Sequence, residues 1–385
     1  VTVGEPAIIG LGVTPMSTSP GGTAGTLAIQ AIGAAVEDAG LSHRDVDGLL
    51  VGSSQGVRPD RVGVALAAQA GFGDLRLLEH LEIKGATTVA MVERAVLALR
   101  AGSVRTVVCV FADAPIRARG GAGSTYALSG GTSGVRGLER ACGVLGSVPT
   151  FALLAARWLH VTGGSEADLC AVALAARAWA EGNPEAVQRT PLDADGYYAS
   201  PMVAEPLRQL DCARPVNGAV AVLLSADPGV GSSTPRIRVR GTGRAHPVRR
   251  RRAGAESWFG GGRRAVDEAL AGAGMTRGDL DVLQLYDPFT VVTLQLLEEY
   301  GFTSPGTAGE LARAGGLSPG GALPTNTGGG QLSGFYLQGM TPLAEAVVQL
   351  RGAGGRRQVP GAGTALVGGL GGRTDHHACL VLEAA

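Results

Sequence analysis

The sequence predicts an α/β protein built from two related halves, and three observations carry that expectation. First, one pattern occurs twice: Ala39, Gly40, Asp45, Asp47 and Leu49 of "AGLSHRDVDGLLVG" recur as Ala273, Gly274, Asp279, Asp281 and Leu283 of "AGMTRGDLDVLQL", at a constant offset of 234. Second, each copy follows a short strand-like segment, "AIIGLGV" at 7–13 and "RIRVRGTG" at 236–243, so each half opens β-α-β and favours parallel pairing with right-handed crossovers. Third, the 62 glycines follow no G-X-Y period and fall in turns, as many strand-to-helix connections would require. A length of 385 residues also exceeds what one small core needs.

The elements follow in order along a first half, 1–230, and a second, 231–385. Leu27, Ile29, Ile32 and Val36 lie at helical spacing, predicting a helix over 26–40 that turns through Gly40 into a strand at 48–52. "LEIKGATTVAMVERAVLALRAG" at 81–102 reads as a strand end, a tight Gly turn and an amphipathic helix that opens on small polar residues. Residues 113–205, rich in Gly, Pro and Ala, are expected to be an insertion with helices at 149–162 and 165–182 that covers or shapes a site. "ADPGVGSSTP" at 226–235 is the expected linker. In "QLYDPF" an apolar strand ends at Tyr286, where its side chain projects toward the crevice that α/β sheets use for ligands. Asp287 is placed to cap the next helix, and Pro288 suits that helix's first turn.

Composition removes several function classes. A formal charge of zero and a pI near 7.2 argue against a nucleic-acid partner. There is no basic segment before an apolar run near the start and no apolar stretch of about 20 residues, so a cytoplasmic location without a membrane span is expected. The five cysteines are widely spaced without CxxC, which fits neither a disulfide framework nor a zinc site. Lysine occurs once, at Lys84.

Five segments together resemble the thiolase superfamily, and within it the thiolase-like proteins of the sterol-carrier-protein type: "DAGLSHRDVDGLLVG", "NPEA", "PLRQLDCARPVNGAVAVLL", "LYDPFTVVTLQLLEEYGF" and "LPTNTGGGQLSGFYLQGMTPLAEAVVQLRG". The resemblance implies two βαβαβαββ halves in five alternating layers, and a homodimer. It also implies three catalytic groups that this chain lacks. Gly85 stands where the nucleophilic Cys would open the helix, Gly334-Phe335-Tyr336 where the Gly-His-Pro turn would lie, and Leu366 where the second Cys would lie. Acyl transfer through a covalent thioester is thereby excluded.

By residue type alone, Tyr286 and Tyr336 fit the role of buried aromatics whose hydroxyls find partners. The tyrosine pair and the missing Cys, however, resemble the lipid-transfer-protein aldolases that shorten steroid side chains. Those enzymes cleave β-hydroxyacyl-CoA thioesters by a retro-aldol step beside an OB-fold, zinc-ribbon partner, as a heterotetramer. The resemblance implies Tyr286 and Tyr336 as the catalytic pair and backbone donors around Gly85, Ala86, Gly328, Gly329, Gly330 and Ser333 as an oxyanion hole. It implies no cofactor beyond the coenzyme A of the substrate, and zinc only in the partner. A non-catalytic acyl-binding subunit, or an enzyme running the aldol step forward in specialised metabolism, are the alternative readings.

Lesser roles remain open for four further residues. Lys84 has a structural or phosphate-facing use, or an imine role. His376 and His377 are neighbours near the C-terminal strand whose side chains should point to opposite faces, which argues against a metal site. Cys212 is expected near the pocket. The run Arg249 to Arg252 is read as a solvated loop, or as a contact for coenzyme A phosphates or an acidic partner.

Overall fold

The computed structural model describes residues 4–54, 63–118, 133–231, 233–248, 258, 260–372 and 374–385. The strands are β1 (Ala7–Val13), β2 (Gly48–Gly52), β3 (Leu77–Leu81), β4 (Thr106–Asp113), β5 (Met202–Ala204), β6 (Leu207–Arg208), β7 (Gly218–Ser225), β8 (Ile237–Ala245), β9 (Val282–Leu285), β10 (Thr364–Gly371) and β11 (His376–Ala384). Nine form one mixed sheet in the order β3-β2-β4-β7-β1-β8-β11-β10-β9, and β5 pairs with β6 alone. Within the sheet β2 runs parallel to β3 and β4, and β9 parallel to β10; the other pairs are antiparallel. The halves meet where β1 pairs with β8 through Ala7↔Arg238 and Ile8↔Ile237.

Each half therefore orders its strands third, second, fourth, fifth, first. In the second half the third strand is reduced to one bridge, Leu283↔Thr325. Pro324 before the bridge residue has no N–H to donate, and Asn326 after it sits at φ 54, so the chain cannot extend a ladder in either direction.

The helices make the layers. The Ala24–Asp38 helix covers β1, β7 and β4 from outside, burying Ala28, Ala31, Ile32, Ala35 and Val36 on one stripe. The Gly262–Ala273 helix covers β8 and β11 in the same way. The Thr87–Arg100 and Met340–Leu350 helices lie between the halves of the sheet and touch strands of both, which is why they are buried nearly all round. This gives the thiolase-like fold, helix and sheet alternating through five layers. The helices at 149–162 and 165–182 form as Ser147–Thr162 and Glu166–Glu181. No helix among the described residues is long and apolar enough to cross a membrane.

The repeat holds residue by residue. The 3₁₀ turns His43–Asp45 and Arg277–Asp279 sit 234 apart, each braced by an aspartate that accepts the N–H of Ser42 (2.8 Å) or Thr276 (2.7 Å). Asp47 accepts the N–H groups of Arg105 and Thr106, both at 2.9 Å, where β4 begins; Asp281 accepts those of Gly363 and Thr364, at 2.8 and 2.9 Å, where β10 begins. The repeated aspartates are thus staples that set where the fourth strand of each half starts.

Two glycines bring each outer helix close to its sheet. A Cβ on Gly12 would lie 2.6 Å from Ala35 N, and one on Gly243 would lie 2.8 Å from Ala269 N, each also overlapping a helix carbonyl. Gly12→Ala and Gly243→Ala should therefore each lower unfolding free energy by about 1–3 kcal/mol, seen as a lower urea midpoint at unchanged slope. A midpoint equal to that of the wild type would mean the helices are free to move outward.

Candidate active site

Strand β9 ends in a turn that aims Tyr286 inward. Leu285 N–H donates to Asn326 Oδ1 (2.7 Å) and Tyr286 N–H to Gly368 O (2.9 Å), fixing the backbone that leads into the phenol. The ring then crosses to the start of the Thr87–Arg100 helix. There Lys84–Ala86 forms a 3₁₀ turn, with Lys84 at φ 51, and Thr87 Oγ1 accepts the N–H of Ile83 at 2.8 Å. A Cβ on Gly85 would lie 2.5 Å from Tyr286 Cε1 and overlap Leu370 O. The phenol ring thus fills the space that a side chain at the helix start would need.

Tyr336 reaches the same point from a separate segment. It follows the tight turn Gly330–Gly334, pairs with Pro215 in an isolated bridge, and puts its hydroxyl 3.1 Å from that of Tyr286. Burial raises the Tyr336 pKa, the hydrogen bond to Tyr286 lowers it, and the charge of Asp113 at the end of β4 raises it further. Tyr336 therefore stays a neutral phenol near pH 7.

Asp287 does not cap the following helix. That helix starts at Thr290 with extended Phe289 before it and no side-chain cap, so Pro288 also lies outside the first turn. The carboxylate turns instead toward the loop that carries Tyr336: Asp287 Oδ1 accepts Gln331 N–H at 2.9 Å. With the Gln331 amide oriented to satisfy its neighbours, its oxygen accepts Asp287 N–H (3.1 Å) and its nitrogen donates to Gln338 O (3.0 Å). Burial pushes the Asp287 carboxyl up to about 7, against the lowering effect of bonds from Gln331 and Asn326.

The glycine-rich loop packs on protein. Cβ atoms would lie 2.7 Å from Glu345 Oε2 at Gly328, 2.6 Å from Ala180 Cβ at Gly329 and 2.8 Å from Asp287 Cγ at Gly330. Gly329 N–H donates to Asn326 O (2.8 Å), Ser333 N–H to Gly329 O (2.9 Å) and Ala86 N–H to Ile83 O (3.1 Å), so these three expected oxyanion donors are engaged inside their own turns. Ser333 Oγ accepts from Arg177 Nε at 3.1 Å, and Asn183 Nδ2 donates to Gly328 O at 2.8 Å, so the insertion holds the loop from behind. A buried chain completes the support: Gln284 Nε2 donates to Thr327 Oγ1 (2.8 Å), Thr327 Oγ1 to Glu345 Oε1 (3.0 Å), and Arg357 pairs with Glu345 (3.0 Å).

The other expected residues lie further out. Half-exposed Lys84 is ion-paired with Glu82. His376 lies at the surface with its Nδ1 2.9 Å from that of His246, whereas His377 is buried, packs edge-on against Tyr300 and is pushed down to about 3, mainly by burial. Cys212 is half-buried, its thiol pushed up to about 12 by burial and then by Asp211. Leu366 belongs to the outer core of the second half; the C-terminal-strand residues that face Gly85 are Gly369 and Leu370. Arg249 to Arg252 lie outside the described residues. Sequence reasoning missed Gly369, Leu370, Gln331, Arg177 and Asn183. The only signal for any of them was that three consecutive glycines must pack against something.

Residues 245–384 match the thiolase C-terminal domain-like family. Over 91% of its length the chain is 31% identical to the 17-hydroxy-3-oxo-4-pregnene-20-carboxyl-CoA lyase of Mycobacterium tuberculosis, spanning 92% of that protein. It is 29% identical to the steroid side-chain-cleaving aldolase of Thermomonospora curvata over 91% of this chain and 92% of that one. The solved Ltp2-ChsH2(DUF35) aldolase superposes with a TM-score of 0.85 at 28% identity, covering 99% of this chain and 98% of that chain.

Two outcomes are expected from this geometry. An acid whose pKa is raised from 3.8 to about 7 on folding stabilises the fold fully below 3.8 and loses that contribution as pH rises through about 7. Wild-type stability should therefore fall relative to Asp287→Asn by a few kcal/mol between about pH 4 and pH 8, measured by urea unfolding; parallel pH profiles would contradict it. Gly85→Cys should displace the Tyr286 ring, lower the melting temperature and yield no acyl-enzyme by intact mass after incubation with acetoacetyl-CoA.

Proposed function

This chain belongs to the thiolase-like family as a carbon–carbon lyase, and we propose that it cleaves a β-hydroxyacyl-CoA thioester to a ketone and a short acyl-CoA by a retro-aldol step. The observation that carries the reading is the 3.1 Å contact between two phenols at a helix start where Gly85 leaves no room for a nucleophile.

The chemistry needs proton transfer and charge stabilisation but no covalent intermediate. One phenol oxygen takes the proton of the β-hydroxyl while its own proton shifts to the other phenol of the hydrogen-bonded pair, which releases one toward Cα, so neither becomes charged as the Cα–Cβ bond breaks. The oxygen-bearing carbon becomes the ketone, and the bonding pair passes into the thioester enolate. A proton thereby returns to Cα through the hydrogen-bonded pair, so atoms and charge balance without a co-reactant. Gly85 N–H, at the positive end of the Thr87–Arg100 helix, is our choice of donor to the thioester oxygen. The two relatives named for steroid chemistry support a bulky polycyclic ketone as the leaving fragment.

We also propose a homodimer that binds an OB-fold, zinc-ribbon protein, with zinc held by that partner. The similarity to the Ltp2-ChsH2(DUF35) aldolase supports a protein partner, and Leu145, Leu153, Met202 and Val203 present exposed apolar side chains on the insertion. Co-expression with such a protein should give one co-eluting complex with higher turnover than the chain alone. Full activity in the isolated chain would count against the partner.

The direct test offers the protein a β-hydroxyacyl-CoA with a tertiary alcohol and follows ketone together with acetyl-CoA or propionyl-CoA. Tyr286→Phe and Tyr336→Phe should each lower kcat by about 10²–10⁴ without altering circular dichroism, since only a hydroxyl is lost. Iodoacetamide should leave activity in place. Binding of the thioester without ketone release, unaffected by either substitution, would favour a scaffold instead.

A further inference from the structure

The two phenols are 50 residues apart in sequence, on segments of different kinds, yet their oxygens sit 3.1 Å apart. Contacts between the segments must set that distance. Tyr286 is followed directly by Asp287, and Tyr336 is preceded by the turn that begins at Gly330 and includes Gln331. These neighbours bond reciprocally: Gln331 N–H donates to the Asp287 carboxylate at 2.9 Å, and Asp287 N–H donates to the Gln331 side-chain oxygen at 3.1 Å. The Gln331 side-chain nitrogen continues to Gln338 O at 3.0 Å, so one residue ties down the chain on both sides of Tyr336. Gly330 is pressed against the carboxylate so closely that a Cβ would lie 2.8 Å from its Cγ. Asp287 and Gln331 are each 1% exposed, so water does not compete for these bonds.

We infer that Asp287 is a positioning residue, which with Gln331 clamps the Tyr336 loop onto the end of the Tyr286 strand and so sets the separation of the phenols. Its effect on rate rests on the proposed retro-aldol function; its effect on geometry does not. The groups that act on the carboxyl are the uncharged side chains of Gln331 and Asn326 and nearby backbone N–H, with no charged residue among them.

The test is a double-mutant cycle read in two ways. Asp287→Ala removes the acceptor of Gln331 N–H, and Gln331→Ala removes the acceptor of Asp287 N–H and the tie to Gln338. If they form one clamp, each single variant should lose about 10- to 100-fold in kcat with KM changed less than about threefold, and the double variant should be no slower than the slower single. Asp287→Asn, which keeps an acceptor for Gln331 N–H, should recover most of the loss. Additive losses, or wild-type kcat in Gln331→Ala, overturn the inference. The second reading needs no substrate: an ultraviolet phenol titration, with Tyr336→Phe as the reference, should find Tyr336 ionising at lower pH in Gln331→Ala than in the wild type because the loosened loop admits water. An unchanged titration overturns the clamp whether or not the wild type cleaves a thioester. A shifted titration in a protein that releases no ketone removes the proposed reaction and leaves the clamp standing. Should Asp287→Ala not fold, Asp287→Asn and Gln331→Ala carry both measurements.

Discussion

The ring of Tyr286 lies against the bare Cα of Gly85, and the site is arranged around that contact. Two groups cannot share one volume: a side chain at Gly85 would fall within 2.5 Å of the ring, so the phenol excludes a nucleophile there and a nucleophile would exclude the phenol. The neighbouring backbone is drawn in equally tightly. Cβ atoms on Gly339 and Gly369 would lie 2.9 and 3.0 Å from Gly85 O. The helix start is therefore walled by backbone, and a phenol supplies the polar group at its centre.

That arrangement depends on the layering. The Thr87–Arg100 helix is buried between the two halves of the sheet, so its first turn meets segments from both. Gly85 and Asp113 come from the first half; Tyr286, Tyr336, Gly369 and Leu370 come from the second. A site assembled this way is only as precise as the contacts that hold the segments in register. The interior supplies them with hydrogen bonds that are strong because water is excluded. Glu345, Thr327, Gln284 and Arg357 fix the loop from one side, and Arg177 and Asn183 of the insertion from the other.

Burial that strengthens these bonds also changes what the acids can do. Tyr336 is kept neutral by the same desolvation that lifts Asp287 to about 7, so one phenol and one carboxyl of the site hold protons at pH values where their exposed counterparts would differ. Cys212 and His377 are pushed the opposite way from usefulness, the thiol staying protonated and the imidazole neutral. Protons can thus be held at the phenol pair without a competing nucleophile near it.

The sequence by itself determined the layered α/β architecture, because apolar spacing and a 234-residue repeat are local patterns, and the repeated aspartates act on N–H groups whose positions the pattern fixes. It also determined the loss of the nucleophile, since Gly85 has no side chain wherever it lies, and it singled out the two tyrosines. Only the tertiary structure decided how these parts meet. Asp287 looked like a helix cap because capping is the commonest use of an aspartate before an apolar run; a partner 44 residues away claims it instead. The glycines at 328–330 looked like a ligand cradle, and the backbone they free is filled by Glu345, Ala180 and Asp287. Leu366 and Leu370 share one core cluster, and it is the backbone further along the strand, at Gly369 and Leu370, that meets Gly85. In each case the deciding term is a contact between residues distant in sequence, and pattern reads only what lies within a turn or a strand of itself.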